Sequence, residues 1–344
     1  MFHAVLSMSL ASFSLPAGRR LLPGLLLAAA IAAAGFALHG LPGFRLFSPM
    51  ILAILVGMVV ANLAPLPASV GPGIAIAVRP LLRAGIVLLG LQITPAKLIS
   101  LGGVGLVVVT ATLFATFAFT AWAGRRLGLT PALADLVAAG TSICGASAVV
   151  ATNGVVDGDR EEVAQALAVV TLFGTLSMFA FPALAPLFGL SDHAYGLWTG
   201  SAIHEVAQVV GAGFQRGTEA GEFATVTKLV RVGLMAPLVI GLGALRRRDA
   251  AVGAARPPFP WFVVGFLVLA GLGGVVDLGR PVLDAASLVT TVLLTAALGA
   301  MGSMIDARRL VGEGLRVLVL GALSWLFVSG FALAAVTLLA SGLG

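Results

Sequence analysis

Apolar residues run along this chain in long blocks, interrupted by short polar or Pro/Gly-rich stretches. Eleven blocks read as candidate spans, near residues 21–39, 48–65, 80–94, 103–123, 132–155, 163–189, 194–213, 229–245, 259–276, 286–305 and 315–341. A helix needs about 20 apolar residues to cross a bilayer. Turn and charge signals separate the blocks: "PLPASVGPG", "GRRLGLTP", "DGDREE", "RRRDAAVGAARPPFP" and "DARRLVGEG". The first 20 residues are too weakly apolar to cross. Arg19 and Arg20 directly precede the first block, and no small-residue cleavage site follows, so that span is expected to stay.

One block breaks the pattern. In "GSAIHEVAQVVGAG" (200–213), Ser201, His204, Glu205 and Gln208 stand at i, i+3, i+4 and i+7, which is one face of a helix. An ionisable side chain at the centre of a membrane helix costs about 2.5–3.5 kcal/mol on insertion scales, so such groups usually face a cavity. The stripe therefore reads as the lining of a polar cavity; a buried interhelical hydrogen-bond network is the plainer alternative. A zinc helix of the H-E-x-x-H type is disfavoured, because Gln208 stands where the second ligand should be. No metal and no cofactor are expected.

Composition agrees with a bilayer. Apolar residues make up 59% of the 344, charged residues 10%, and the mean hydropathy is +1.10; soluble domains are about 45–50% apolar and about 25% charged. Cys144 is the only cysteine, which excludes an internal disulfide and a multi-cysteine metal cluster. The pI near 10.9 does not point to nucleic acid, because the basic residues are spread over short loops. With the amino end cytoplasmic, the count is 13 Lys/Arg inside against 7 outside, Lys228 and Arg231 being counted on the outer side. That bias predicts amino end in and carboxyl end out.

"LLRAGI" (81–86) and "LVRVGL" (229–234) share Leu-x-Arg-x-Gly-[Ile/Leu] and open the third and eighth blocks. Five helices apart means opposite direction, as in the inverted repeats of secondary transporters. Arg83 and Arg231 either snorkel to the interface or reach inward to an anion. The repeat pairs the fifth block with the tenth. "AAGTSICGASAVVATNG" (138–154) and "AALGAMGSMID" (296–306) are both rich in Gly, Ala and Ser. Such residues let a helix break and free its backbone, which survives at membrane depth only when buried or lining a cavity. Half-helix amino ends favour anions. Close packing through small residues is the competing account. Asp135 and Asp306 read as solvated span ends, and Gln92 as a further cavity residue.

"AAGTSICGASAVVAT" with "SAIHEVAQVVGAG", and with "VLLGLQIT" and "GSMIDARRL", resembles the YeiH family of bacterial inner-membrane proteins, often labelled sulfate exporters. The resemblance runs from about residue 45 to the end. That family is grouped with sodium/proton antiporters and bile-acid symporters. The resemblance implies two crossing, discontinuous helices, here the fifth and tenth spans. It also implies separate core and panel (dimerisation) domains, hence a homodimer as an expected assembly.

The expected fold is thus an all-α polytopic membrane protein of about 11 transmembrane helices, an inverted 5+5 repeat with one extra N-terminal helix. The divisions fall at 1–47, 48–189 and 190–344. The expected function is secondary active transport of a small anion, plausibly sulfate, sulfite or an organosulfonate, across the bacterial inner membrane by alternating access. Thr141, Ser142, Cys144, Ser147, Asn153, His204, Gln208 and Ser303 are the candidate binding residues, and His204 and Glu205 the candidates for coupling to H+ or Na+. A cation/proton antiporter of the same fold, and a non-transporting membrane enzyme or scaffold, are the alternatives.

Overall fold

The computed structural model describes residues 15–63, 65–93, 99–246, 260–276, 278–305 and 314–339. These residues are predominantly helical, with no strand among them. In chain order the helices are α1 (Leu15–His39), α2 (Pro49–Leu63), α3 (Gly71–Ile76), α4 (Leu82–Leu89), α5 (Gly102–Arg126), α6 (Pro131–Ser142), α7 (Ala146–Val156) and α8 (Arg160–Leu184). They continue as α9 (Asp192–Ala202), α10 (Val206–Arg216), α11 (Thr218–Gly233), α12 (Met235–Arg246), α13 (Trp261–Val275), α14 (Arg280–Gly302) and α15 (Leu315–Leu339). A π-helical segment around Pro80 joins α3 to α4. Among the described residues, seven helical stretches are long and apolar enough to cross a membrane, and α2, α7 and α13 are shorter apolar helices. Many large apolar side chains, such as Leu55, Phe114 and Leu267, point outward, as a lipid-facing surface requires. The protein is a multi-pass membrane protein.

The fifth and seventh blocks do not form continuous crossing helices. Each is a helical hairpin. In the first, α7 folds back along α6: a Cβ added at Gly140 would stand 2.8 Å from Val149 Cγ2, and one at Gly158 would stand 2.9 Å from Leu136 Cδ1. In the second, Tyr195 Oη donates to Ala212 O at 2.9 Å, and Arg216 Nε donates to Asp192 Oδ1 at 2.7 Å, so both ends of α9–α10 lie together. The arms have 11 or 12 residues. At 1.5 Å per residue such an arm rises about 17 Å, little more than half a hydrocarbon core of about 30 Å.

Local sequence sets these boundaries. Thr130 Oγ1 accepts from Leu133 N, with Pro131 opening α6. Asp159 and Glu162 cap α8 reciprocally, and Ser191 Oγ accepts from Ala194 N at the start of α9. Each cap satisfies an amide that the first helical turn leaves open. Helix α8 and the turn after it run 29 residues, Arg160–Phe188, from the base of the first hairpin to the base of the second. Both tips lie level with its middle: Gly140 packs on Val170, and Gly174 on Gln208. The hairpins therefore enter from opposite ends of α8 and meet halfway.

The tenth block departs from expectation. Helix α14 is continuous through Gly302, and Asp306 lies outside the described residues. Its small residues serve close packing. A Cβ on Gly57 of α2 would stand 2.2 Å from Gly299 O, and one on Gly302 would stand 2.2 Å from Ile54 O. The second interruption falls instead at Ile203–Glu205, inside the polar stripe. The helices group into two bundles that cut across sequential halves: α1–α4 with α13 and α14, and α5–α12 with α15. The bundles meet chiefly where α10 packs on α2 and α14.

Two outcomes test this architecture. In a Cys144→Ala background, Leu129→Cys and Asp157→Cys are expected to label from one face of the membrane, and Leu187→Cys and Thr218→Cys from the other. Labelling of the first pair from opposite faces would mean that α6–α7 crosses. Gly57→Val is expected to destabilise the fold by about 1–3 kcal/mol through overpacking against α14. An unchanged thermal midpoint in detergent would contradict that contact.

Candidate functional site

The two hairpin tips are Ile143-Cys144-Gly145 and Ile203-His204-Glu205. Each interrupts its helix for a backbone reason. Gly145 adopts φ +73°, open to glycine at little cost, while Ile203 and Glu205 are extended, with ψ 145° and 150°. The stripe Ser201, His204, Glu205 and Gln208 is therefore not one face of one helix. The tip nevertheless keeps those residues together. Glu205 N donates to Gln208 Oε1 at 3.0 Å, and Gln208 Nε2 donates to Thr171 O and to Thr175 Oγ1, each at 3.3 Å.

The tips touch. A Cβ on Gly145 would stand 2.3 Å from Glu205 Cγ. Glu205 Oε1 accepts from Thr171 Oγ1 at 3.0 Å, which ties the second tip to α8.

Breaking two helices leaves carbonyls at the ends of α6 and α9 without helical donors. Two fully buried cations of α11 fill that need. Lys228 Nζ donates to Ile143 O at 2.7 Å and to Ile203 O at 2.6 Å. Arg231 donates to Thr141 O, to Ser142 O and, at 3.1 Å, to Ile203 O. A cation at a helix carboxyl end also complements the helix dipole. Both residues lie buried at the hairpin tips and not at the outer face, which corrects their place in the charge count. The signal was present: Lys228 and Arg231 stand at i and i+3, on one helix face inside "TVTKLVRVG". Arg83, their counterpart in the sequence echo, is exposed and lies over the Phe262 ring at 5.6 Å.

The tips also hold polar atoms without a partner. Ser142 Oγ, Ser201 Oγ and His204 Nδ1 are buried and unbonded, and their residues are at most 1% exposed. Thr141 is 1% exposed, and its carbonyl faces Arg231. Cys144 packs with Leu113, Val232 and Met235 in an apolar cluster.

Ser147 borders the first tip, and Asn153 and Ser303 lie elsewhere. Ser147 is exposed on the first turn of α7. Asn153 Oδ1 accepts from Gly158 N at 2.8 Å, closing the far end of α7. Ser303 Oγ donates to Ala300 O at the end of α14, against α2. Asp135 is fully buried and paired with Arg125 at 2.8 Å, where a solvated span end was expected. Gln92 lines a separate cavity of about 330 Å³ with Asp284 and Ser287, and donates to Thr290 Oγ1 at 3.1 Å.

Comparison with known proteins gives the family. The family profile described as "Conserved hypothetical protein 698" matches residues 23–321. A UPF0324 membrane protein of Corynebacterium glutamicum is 39% identical over 316 residues, covering 91% of each chain. A UPF0324 membrane protein of Pseudomonas aeruginosa is 38% identical, over 91% of this chain and 93% of that one. The UPF0324 inner membrane protein YeiH of Salmonella typhi is 35% identical over the same shares. Matches of this extent, on a chain that is helical and multi-pass, make it a member of the UPF0324 family of membrane proteins, to which YeiH belongs.

Proposed function

We propose that this protein is a secondary active transporter of a small anion, with sulfate, sulfite and organosulfonates as the class to test. One observation carries the proposal: two helix amino ends, two buried cations and unpartnered hydroxyl and imidazole groups converge where two hairpins meet at mid-depth. Irregular backbone at that depth belongs to substrate sites in transporters. The leading amides of α7 and α10 and the Ser142 hydroxyl supply neutral donors, and Lys228 and Arg231 set a positive field. Alternating access is a movement of the hairpin bundle against α1–α4, α13 and α14, with H+ or Na+ as the coupling ion and Glu205 and His204 as its carriers. The first bundle is the expected dimerisation surface.

The chemistry argues against a cation/proton antiporter. Hard cations are held by several oxygen ligands, commonly carboxylates. The tips bring one carboxyl, Glu205, beside two cations.

The orientation proposed is amino end cytoplasmic and carboxyl end outside, in the bacterial inner membrane. The hairpins sharpen the charge bias behind it. Lys228 and Arg231 leave the outer count, and Arg160 joins Arg125 and Arg126 at the base of the first hairpin. Fourteen Lys/Arg then stand inside, against Arg45, Lys97, Arg216 and Arg280 outside.

Flux in proteoliposomes decides the function. Purified protein is expected to carry at least one of labelled sulfate, sulfite and taurine under an imposed proton or sodium gradient. Sodium/proton exchange without anion flux would favour the antiporter, and no flux of any kind would end the proposal. Ser142→Ala is expected to weaken anion affinity by roughly tenfold or more, the worth of a hydrogen bond to a charged ligand. Wild-type affinity would remove Ser142 from the site. Arg231→Lys keeps the charge but cannot reach three carbonyls, and is expected to cost about 1.5–3 kcal/mol in thermal unfolding. An unshifted midpoint would show that the carbonyls do not depend on it.

A further inference from the structure

Glu205 stands where an anion at the hairpin tips would stand. It is the N-cap residue of α10, in a reciprocal capping box with Gln208, and its side chain also reaches the other tip. There its Cγ is 2.3 Å, and its Oε1 3.3 Å, from the point at which Gly145 would carry a Cβ. Gly145 is the N-cap of α7. The carboxyl thus lies beside the first turns of two 11-residue helices, whose leading amides have no intrahelical acceptor. Any side chain at residue 145 would collide with it. Ser142 Oγ and His204 Nδ1, buried and without partners, belong to the same two tips.

The charged surroundings favour a negative occupant. Lys228 of α11 and Arg79 of the π segment are the cations in electrostatic reach of Glu205. Arg231 clasps the adjoining carbonyls one turn further along α11. On α8, the neutral Thr171 hydroxyl is the group that meets the carboxyl. His204 beside it and Cys144 in the facing tip are the other titratable groups.

We infer that Glu205 is a tethered stand-in for the transported anion: its carboxylate and the anion are alternative occupants of one site between the amino ends of α7 and α10. This rests on the anion-transport reading above and deepens it. The anion enters when Glu205 takes a proton from solution and swings out; when the anion leaves, the carboxyl gives up that proton and returns. Charge in the site is then constant. A carboxylate and a monovalent anion each contribute one negative charge, so neither state leaves the cations uncompensated at membrane depth, where that is costly. Two features of the transport follow. The favoured substrate is a monoanion, such as bisulfite or an alkanesulfonate, over a dianion. The coupling ion is the proton, moving in the same direction as the anion, because the loaded carrier holds both and the empty carrier neither.

The test uses the full chain with methanesulfonate as a monoanion probe and sulfate as a dianion probe. Wild-type protein in detergent is expected to take up about one proton per methanesulfonate bound, read by a pH dye, and to bind sulfate more weakly. Glu205→Gln is expected to bind methanesulfonate several-fold more tightly near neutral pH, without proton uptake. Glu205→Ala, which empties the space, is expected to bind it at least as tightly. Size-exclusion profiles and thermal midpoints establish that both variants fold. Weaker binding by both folded variants, or proton uptake that survives in them, would overturn this inference while leaving the anion site standing. A wild-type protein that binds neither probe and carries no anion would remove the transport reading, and this inference with it.

Discussion

The structure depends on a clasp: two cations of one helix holding the carbonyls of two others. A helix that ends in lipid exposes carbonyls with no donor, and each costs several kcal/mol when nothing replaces water. Helices α6 and α9 both end this way, at the same depth. Lys228 spans the two ends, and Arg231 takes two carbonyls from one and one from the other. The cations are themselves tolerable only because the carbonyls are there, since an unpaired buried ammonium or guanidinium would be costlier still. Neither half of the arrangement is stable without the other, so the tips and α11 stand or fall together.

The clasp also sorts the polarity of the site. Where two helices end and two begin, the negative and positive ends of four helix dipoles crowd into one place. Cations neutralise the carboxyl ends of α6 and α9. What is left is the amino ends of α7 and α10, with amides that ask for an acceptor. Glu205 supplies one to α10 through its capping box with Gln208, and its carboxyl lies across Gly145 from the start of α7. A site with its carbonyls already satisfied and two helix amino ends facing it is polarised for an acceptor, which is what the proposed anion site requires. That disposition comes from geometry as much as from net charge.

The sequence made the class of fold plain and its topology less so. Apolar blocks located the helices well, because lipid imposes length and hydropathy together. They could not separate a crossing helix from a hairpin. Residues 132–155 and 194–213 have the length of a span, and only contacts such as Tyr195 with Ala212 reveal that the chain turns back. The first tip was legible through "SICGAS", while "IHEVAQ" was legible as a polar site but read as one face of an unbroken helix, because its i, i+3, i+4, i+7 spacing fits a helix as well as a turn. The cations were not legible, because a charged pair at the edge of an apolar block reads as lying at the outer face. Ser303 and the glycines of α14 misled for a related reason: small residues serve close packing and broken helices alike, and Gly57 facing Gly299 decides for packing. Asn153 was drawn in by nearness in sequence, which a helix of 11 residues turns into separation in space, while Ser147 borders the tip with its side chain exposed.

Energetics indicate where such a molecule can move. Freeing the first tip would break bonds from Lys228 and Arg231 to Thr141, Ser142 and Ile143 carbonyls, each worth about 1.5–3 kcal/mol as a bond to a charged group. The total is on the order of 5 kcal/mol or more, near the whole stability of a typical domain of about 5–15 kcal/mol. The seam between the bundles is held differently. Gly211 of α10 faces Leu298 of α14, and Gln215 bonds to the backbone of Ser48 and Leu46 just before α2. Those are dispersion contacts and neutral hydrogen bonds, exchangeable for similar partners a turn away. In the proposed alternating access, movement therefore belongs at the seam, with hairpins, α8 and α11 travelling as one body. Within that body the group free to change without breaking the clasp is a side chain, Glu205, held by the Thr171 hydroxyl and by its capping box with Gln208 at the start of α10.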